Sequence, residues 1–213
     1  MKFINLTTVF FISCSSLTAN AITETLNFES LKQNDASFTF LTGPYAEAGY
    51  KLVASNPEPY SFASAGDLNT RYAGSTALTS YNFGTVSLYN TSSTVFDFLS
   101  MDLAPVFLGA NDPFGSNRNL SEVYETIIYG FRDDGSFVTQ ALTIPNTRIS
   151  NIMATVQMIG FTGLSEVVIS NEFFPGVQFD NLVLSSVSAV PEPSSAWLFT
   201  IGLLGFLGLK KRI

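Results

Sequence analysis

Carboxylates and tyrosines are the side chains of this sequence that could serve a reaction or a ligand, because it contains no histidine and a single cysteine, Cys14. Without histidine, the chain cannot form a His-containing catalytic triad or an imidazole zinc site. Two carboxylate pairs, Glu122 with Glu125 and Asp97 with Asp102, have the chemistry of a glycoside hydrolase. Their spacings are ordinary for β-strands, so we expect a protein that is not an enzyme.

Tyrosines suggest a second kind of chemistry, since exposed aromatic rings beside amides or carboxylates can bind sugars. The candidate ligand-binding residues are Tyr45, Tyr60, Tyr72 and Tyr81. A wider set of the same chemistry adds Tyr50, Tyr89, Asn82 and Asn90. The alternative is that these tyrosines line the edges of sheets. Trp197, the sole tryptophan, lies in the C-terminal segment and therefore outside any such face.

Carboxylates that could bind a calcium ion are the third group of candidate functional residues. Glu29 follows the first predicted strand and Asp180 lies in the last, so the two would meet if these strands pair. Asp112, Asp133 and Asp134 are loop carboxylates, and none has the spacing of an EF-hand. The alternative for each carboxylate is a structural role in a turn or at a solvent-exposed edge of a sheet. A structural calcium ion is the one cofactor that these residues could hold, and we expect no other.

Charge and composition exclude some partners. The 213 residues carry 17 acidic and 10 basic side chains, a formal charge of −7. Phosphate-backbone recognition needs clustered Lys and Arg, so we expect no nucleic acid partner. The abundance of Ser, Thr and Asn, together with 20 Phe and 8 Tyr, is typical of an exported β-protein.

The elements that must position these residues are short strands separated by turns. One domain is predicted over 22–185, with the fold class all-β and a two-sheet β-sandwich or jelly roll. Asp134 and Gly135 suit a primed two-residue hairpin turn. The predicted strands are 23–28, 37–41, 50–54, 85–89, 94–103, 123–131, 137–142, 149–156, 166–169 and 177–184.

The N-terminal residues 1–21 have the order of a secretory signal peptide. Lys2 precedes a short apolar run, and the small-x-small pair Ala19 and Ala21 marks a cleavage site after residue 21. Signal peptidase and the secretion machinery are therefore expected partners. The rival interpretation is a lipoprotein signal acylated at Cys14. Cleavage after Ala21 would leave a mature chain without cysteine.

The C-terminal residues combine an extended motif with an apolar segment. The linker 186–195 contains Pro191, Glu192 and Pro193, whose two prolines hold the backbone extended. Residues 196–209 are uncharged and apolar on every side, which predicts a transmembrane helix of about 21 Å, short of a bilayer core of about 30 Å.

A basic cluster ends the chain over 210–213. Lys210, Lys211 and Arg212 place this tail in the cytoplasm by the positive-inside rule, with the body across the membrane. Such a tail either pauses the chain in the membrane until it is cut or anchors it permanently.

Together, these features closely resemble the PEP-CTERM sorting signal of Gram-negative bacteria, which here covers the last 24 residues. The resemblance implies an exosortase partner, a membrane cysteine protease that recognises the Pro-Glu-Pro region and releases or transfers the protein outward. The same tail is also labelled an ice-binding protein C-terminal domain, although Thr91, Thr94 and their neighbours form no regular ice-binding array.

A second resemblance concerns the body. The opening strand with Phe28 and Glu29 and the closing strand with Phe179, Asp180 and Asn181 look like those of jelly-roll modules on secreted bacterial proteins, including carbohydrate-binding ones.

The sequence therefore predicts an exported protein, held at the inner membrane with its body in the periplasm and then passed to the cell surface or extracellular matrix. Its predicted role is structural or adhesive in exopolysaccharide or biofilm. The alternative is a carbohydrate-binding jelly-roll module with a tyrosine-rich face, and extracellular polysaccharide is a partner in both hypotheses.

Overall fold

Short β-strands make up most of the structure, a computed structural model that describes residues 21–55, 61–81, 84–106, 124–144, 153–171 and 176–187. Within these ranges the chain forms one 3₁₀ turn, Glu29–Leu31, and no α-helix. The strands are β1 (Ala21–Leu26), β2 (Phe38–Leu41), β3 (Tyr45–Glu47), β4 (Tyr50–Ala54), β5 (Phe62–Ala65), β6 (Leu78–Tyr81), β7 (Gly84–Asn90), β8 (Phe96–Pro105), β9 (Tyr124–Phe131), β10 (Phe137–Ile144), β11 (Ala154–Gln157), β12 (Glu166–Asn171) and β13 (Gly176–Val187). The all-β prediction is confirmed.

The strands form two antiparallel sheets. Sheet A has the order β11-β8-β13-β6-β5-β2, and β1 also pairs with β13. Sheet B has the order β10-β9-β12-β7-β4-β3. Both sheets contribute side chains to a single hydrophobic cluster, so the fold is the predicted two-sheet β-sandwich.

Every one of the ten predicted strands has a counterpart, and three further strands were missed. The missed strands β3, β5 and β6 contain only three or four residues each. Each contains a single aromatic residue beside small or polar residues, so no run of β-branched residues marks it in the sequence. The first and last strands do pair, which is the condition on which the calcium hypothesis depended, and Leu26 on β1 lies opposite Leu182 on β13.

Aromatic and aliphatic side chains fill the space between the sheets. Alternation along each strand turns every second residue inward, as with Phe96 and Phe98 on β8 and Val167 and Ile169 on β12. The ring of Tyr50 packs edge-on against that of Phe96, with centroids 5.4 Å apart. Burial of this kind is the main source of stability in a fold without disulfides among its described residues.

The outer face of sheet A is covered over its middle strands, β6 and β13. Thr79, Gln178 and Asp180 alternate with core residues and therefore point away from sheet B, yet they are only 1–2% exposed. Residues 66–77, which connect β5 to β6, provide contacts on this face. Arg71 in this connection lies over the ring of Phe38, 4.6 Å from its centroid, and Ser75 donates a hydrogen bond to Asp180.

The β9–β10 hairpin is confirmed, but its turn differs from the prediction. Gly135 N–H donates to the carbonyl of Arg132, Arg132 N–H donates to the carbonyl of Ser136, and Gly135 has φ of 81°. This is the pattern of a three-residue loop with a glycine bulge, not of a two-residue primed turn. Asp133 adds a third loop residue before Asp134, and the left-handed glycine then restores the strand direction.

Arg132 also fixes the loop that follows β11. Its Nε donates to the carbonyl of Thr162 and its Nη2 to the carbonyl of Gly160, both at 2.9 Å. These two bonds hold the hairpin and the β11–β12 connection in one arrangement.

Gly66 is the first residue of the 66–77 connection and lies against the backbone of Asp35, where a larger residue would not fit. A Cβ at this position would lie 2.2 Å from the carbonyl oxygen of Asp35, and the Gly66 N–H donates to the carbonyl of Ser37. Because the obstructing atom belongs to the backbone, it cannot rotate away as a side chain would.

We expect Gly66→Ala to lower the free energy of unfolding by about 2–4 kcal/mol, since the backbone at Asp35 must shift. Gly49→Ala is the control, because a Cβ there meets nothing within 4 Å and only its φ of 78° is unfavourable. That control should cost about 1 kcal/mol. Urea unfolding of both variants measures the difference, and equal losses would contradict the role of the Asp35 contact.

Candidate functional site

A row of aromatic and charged side chains crosses the outer face of sheet B. It consists of Phe137, Phe131, Glu166, Tyr89 and Lys51, one from each of β10, β9, β12, β7 and β4, and is called the outer row below. Phe137 lies opposite Phe131, Phe131 opposite Glu166, and Tyr89 opposite Lys51. The pairing of Val167 with Leu88 sets Glu166 beside Tyr89.

The rings of the outer row are open to solvent. Phe137 is 62% exposed, Tyr89 37% and Phe131 36%. The Phe131 and Phe137 centroids are 6.2 Å apart, and Tyr129 continues the surface beside Phe131 with a centroid separation of 6.3 Å and an angle of 14° between ring planes. The sheet therefore presents a broad aromatic surface at its β9–β10 end rather than isolated rings.

A hydrogen bond fixes Tyr89 within the row. Its hydroxyl donates to Oε1 of Glu166 at 2.8 Å. A hydrogen bond with Ser87 lowers the pKa of Tyr89, but partial burial and the Glu166 carboxylate outweigh it and leave the pKa raised. The hydroxyl consequently remains protonated near neutral pH and keeps its donor.

An open cleft of about 420 Å³ lies at the Tyr89 end of the outer row. Its lining includes Lys51, Tyr89, Asn90, Thr94, Asp133 and Ser165. These side chains offer both hydrogen-bond donors and acceptors around one aromatic wall. This combination suits a ligand that carries many hydroxyl groups.

The tyrosines predicted as a ligand face are dispersed in the structure. Tyr45 is half-buried on β3, where its ring packs 5.3 Å from that of Phe28 and its hydroxyl donates to Glu47. Tyr72 is half-buried in the 66–77 connection. Tyr60 and the side chain of Tyr81 lie outside the described residues. The structure thus does not bring Tyr45 and Tyr72 to one face.

The wider set of candidates is divided between the core and the cleft. Tyr50 is 1% exposed and belongs to the core, whereas Tyr89 and Asn90 line the cleft. Asn82 lies outside the described residues. Phe131 and Phe137 were missed because only tyrosines were considered as ligand residues. Their alternation with Arg132 and Ser136 around the hairpin turn was the available signal, since it sets both rings on the same face.

The second predicted constellation, around Asp180, is a buried hydrogen-bond network. Ser75 Oγ donates to Asp180 Oδ2 at 2.5 Å, and the N–H of Asn181 donates to Oδ1 at 2.7 Å. The Nδ2 of Asn181 donates to Asp102 Oδ2 at 2.8 Å, so one amide links two carboxylates that lie opposite each other on β13 and β8. Asn181 reaches both because it has φ of 47° beside a β-bulge.

Burial raises the pKa of Asp180 to about 6. The hydrogen bonds from Ser75 and Asn181 act in the opposite direction, while the carboxylates of Asp102 and Glu29 add to the rise. Glu29, the other predicted calcium ligand, is thus close enough to act on Asp180 electrostatically. Within the described ranges, however, no three His, Cys, Asp or Glu side chains form a group that could hold a metal ion.

The loop carboxylates have local structural partners. Asp134 accepts the N–H of Ser136, and hydrogen bonds from Ser136 hold the pKa of Asp134 below its ordinary value. Asp133 lies at the cleft, and Asp112 lies outside the described residues.

The carboxylates of Asp97 and Asp102 lie too far apart to flank a glycosidic bond. Asp97 lies opposite Ser185 and Asp102 opposite Asp180 on the same pair of strands, which separates them by about 15 Å along β8. Carboxylates that flank a glycosidic bond stand about 5–10 Å apart. Glu122 lies outside the described residues, so its pairing with Glu125 stays untested.

The predicted targeting segments fall almost entirely outside the described residues, which begin at Ala21 on β1. The predicted features that lie outside are Ala19 and the residues before it, the motif Pro191, Glu192 and Pro193, the apolar segment 196–209 and the cluster Lys210, Lys211 and Arg212. Among the residues that are described, no helix has the length and apolarity needed to span a membrane.

Comparison with known proteins identifies the C-terminal segment. Residues 189–212 match the family model of the PEP-CTERM protein-sorting motif. The chain therefore carries this motif, which implies secretion and processing by an exosortase. No curated protein matches the chain.

Solved structures resemble the chain only distantly, and the examples are carbohydrate-binding modules. A family 29 module from Piromyces equi, CBM29_1, is 11% identical with a TM-score of 0.38 and covers 83% of this chain and 97% of its own. Another structure of a family 29 carbohydrate-binding module is 13% identical with a TM-score of 0.39, covering 83% and 97%. The family 32 module of C. perfringens NanJ, in complex with galactose, is 11% identical with a TM-score of 0.38, covering 67% and 97%. At TM-scores this low, the likenesses assign neither a ligand nor a site to this chain.

Between pH 4 and pH 7.5, we expect the free energy of unfolding to fall less in the Asp180→Asn variant than in the wild type. The folded-state pKa of about 6 exceeds the ordinary value of 3.8, so the stabilising protonated form is fully present below pH 4 and is lost as pH rises through 6. The difference between wild type and variant across this range should be about 2 kcal/mol, measured by urea unfolding in EDTA.

Ser75→Ala provides a control of opposite sign. Its hydroxyl favours the charged form of Asp180, so its removal should raise the pKa of Asp180 and steepen the loss of stability. An unchanged slope in Asp180→Asn would show that this carboxyl does not titrate as described.

Proposed function

We propose that this chain is an exported surface protein which an exosortase releases from the inner membrane, and that its sandwich has a structural or adhesive role in an exopolysaccharide matrix. The observation that carries the proposal is the PEP-CTERM protein-sorting motif at residues 189–212. Secretion would begin with signal peptidase cleavage after Ala21, and the apolar segment 196–209 would hold the precursor in the membrane with Lys210, Lys211 and Arg212 on the cytoplasmic side.

The net charge of the body supports a display role. Residues 22–189 hold 16 acidic and 6 basic side chains, a formal charge of −10, which favours solubility outside the cell. Stability comes from the buried sandwich core, which includes no cysteine. We accordingly propose binding or scaffolding as the activity of the body rather than catalysis.

A sharp test concerns the sorting motif. We expect replacement of Pro191, Glu192 and Pro193 by alanine to leave the full-length precursor in the inner membrane, because the extended recognition segment is lost. Ser194→Ala with Ser195→Ala is the control, since it changes adjacent residues without touching the motif. Intact mass spectrometry of membrane and surface fractions distinguishes the forms.

In the wild type, the surface form should lack residues 196–213. Recovery of a surface form that retains this segment would exclude exosortase release and favour a permanent tail anchor.

A second candidate function is carbohydrate binding by the sandwich, as a jelly-roll module. The observation that favours it is the outer row with its exposed Phe137, Phe131 and Tyr89 rings, next to a cleft that carries Lys51 and Asp133. Aromatic rings stack on the apolar faces of sugars, while amides, hydroxyls and charged groups bond their hydroxyls. This function is compatible with an adhesive role in a matrix.

We expect the full-length chain, purified in detergent, to be retarded in affinity gels that contain at least one soluble polysaccharide. The panel would comprise a galactan, a mannan, a mixed-linkage glucan, dextran and alginate, with serum albumin as the protein control. No retardation in any gel would count against carbohydrate binding and leave the sorting proposal intact.

A further inference from the structure

The two sheets differ in what covers their outer faces. On sheet A, the outward residues Thr79, Gln178 and Asp180 are 1–2% exposed, and Ser75 in the 66–77 connection donates a hydrogen bond to Asp180, whereas Phe40 on the edge strand β2 is 37% exposed. On sheet B, the outward residues Phe137, Phe131 and Tyr89 are 36–62% exposed. Large exposed aromatic rings in adjacent positions are unusual on a soluble surface and mark an interaction site. Exposed rings lie side by side on neighbouring strands of sheet B, so this face is the candidate site.

The row runs across the strands rather than along one of them. Neighbouring strands are about 4.8 Å apart, so the four steps from β10 to β4 span about 19 Å. Phe131 and Tyr89 are two steps apart, or about 10 Å, which is comparable with the length of a disaccharide unit. Such a line of rings matches an extended ligand with repeating apolar faces.

The composition of the row opposes burial against another protein. Glu166 lies between Phe131 and Tyr89, and Lys51 ends the row. Charged residues are depleted from the centres of protein interfaces because their desolvation is costly. A sugar chain avoids this cost, since its hydroxyls can donate to Glu166 and accept from Lys51. Water at the open sides of the row can satisfy the remaining groups.

Charge decides between neutral and acidic sugar polymers. The body has a formal charge of −10, and at the Tyr89 end of the row the carboxylates of Glu166 and Asp133 outnumber the ammonium group of Lys51. A polymer of uronic acids would be repelled by this field. A neutral polymer meets no such repulsion.

We propose that the outer row binds a neutral polysaccharide. Sugar rings stack on Phe137, Phe131 and Tyr89, and hydroxyls at the Tyr89 end bond Lys51 and Asp133 in the cleft. The proposal rests on the second proposed function, carbohydrate binding, and adds to it the face, the direction of the ligand and the class of polymer.

The test compares variants of the full-length chain in the affinity gels described above. We expect Phe137→Ala and Tyr89→Ala each to weaken binding to a neutral polysaccharide at least about tenfold, the loss expected for one stacking ring. Tyr89→Phe keeps the ring and removes the hydroxyl that donates to Glu166, so it should lose less than about threefold. Thermal unfolding checks that each variant remains folded.

Phe40→Ala is the matched control. Phe40 is 37% exposed, as is Tyr89, but it lies on β2, an edge strand of sheet A, and not on sheet B. Its replacement should leave binding unchanged, whereas a loss equal to that of Tyr89→Ala would overturn the assignment to sheet B.

The outcomes separate this inference from the function on which it rests. If both Phe137→Ala and Tyr89→Ala still bind neutral polysaccharide, the outer row is not the binding site, although carbohydrate binding itself would stand. Stronger binding to alginate than to every neutral polymer would show that the ligand is an acidic and not a neutral polysaccharide. Absence of all binding would remove carbohydrate binding itself, and a concentration-dependent dimer abolished by the same variants would make a second copy the occupant.

Discussion

Strand β13 is the element on which the rest of the sandwich depends. It pairs with β8 on one side along most of its length, and with β6 and β1 in succession on the other. Its inward side chains Phe179, Leu182 and Leu184 lie in the core, and all three are fully buried. Because the last strand of the described fold is also central, sheet A cannot be completed before β13 has been synthesised.

The bulge in β13 reconciles two demands on this strand. Between Asp180 and Val183 the register shifts, and Asn181 takes a left-handed conformation. The shift lets β13 pass from β6 to β1 as its neighbour and lets the Asn181 amide lie between the carboxylates of Asp102 and Asp180. The unfavourable conformation of one residue thus satisfies a buried polar group that the core could not otherwise accommodate.

Covering one sheet leaves the other as the available surface. Residues 66–77 close over the outer face of sheet A, and the tight approach of Gly66 to Asp35 fixes where they begin. Sheet B presents its outer row, with Arg132 holding the hairpin that carries Phe131 and Phe137. The exposed rings of sheet B are therefore more accessible to a ligand than the outward residues on the middle strands of sheet A.

The sequence by itself determined the β-class and ten of the strands, because alternation and turn residues act over a few neighbours. The pairing of β1 with β13 was only a condition for the calcium hypothesis, and the tertiary structure decided it. The sequence also identified the PEP-CTERM tail, whose recognition depends on consecutive residues. It did not find the outer row. Tyr89, Phe131 and Phe137 meet only after β7, β12, β9 and β10 are ordered side by side, and strand order depends on contacts between residues far apart in the chain. Tyr45 and Tyr50 show the converse, since both were candidates by residue type and the tertiary structure turned both inward to pack against Phe28 and Phe96.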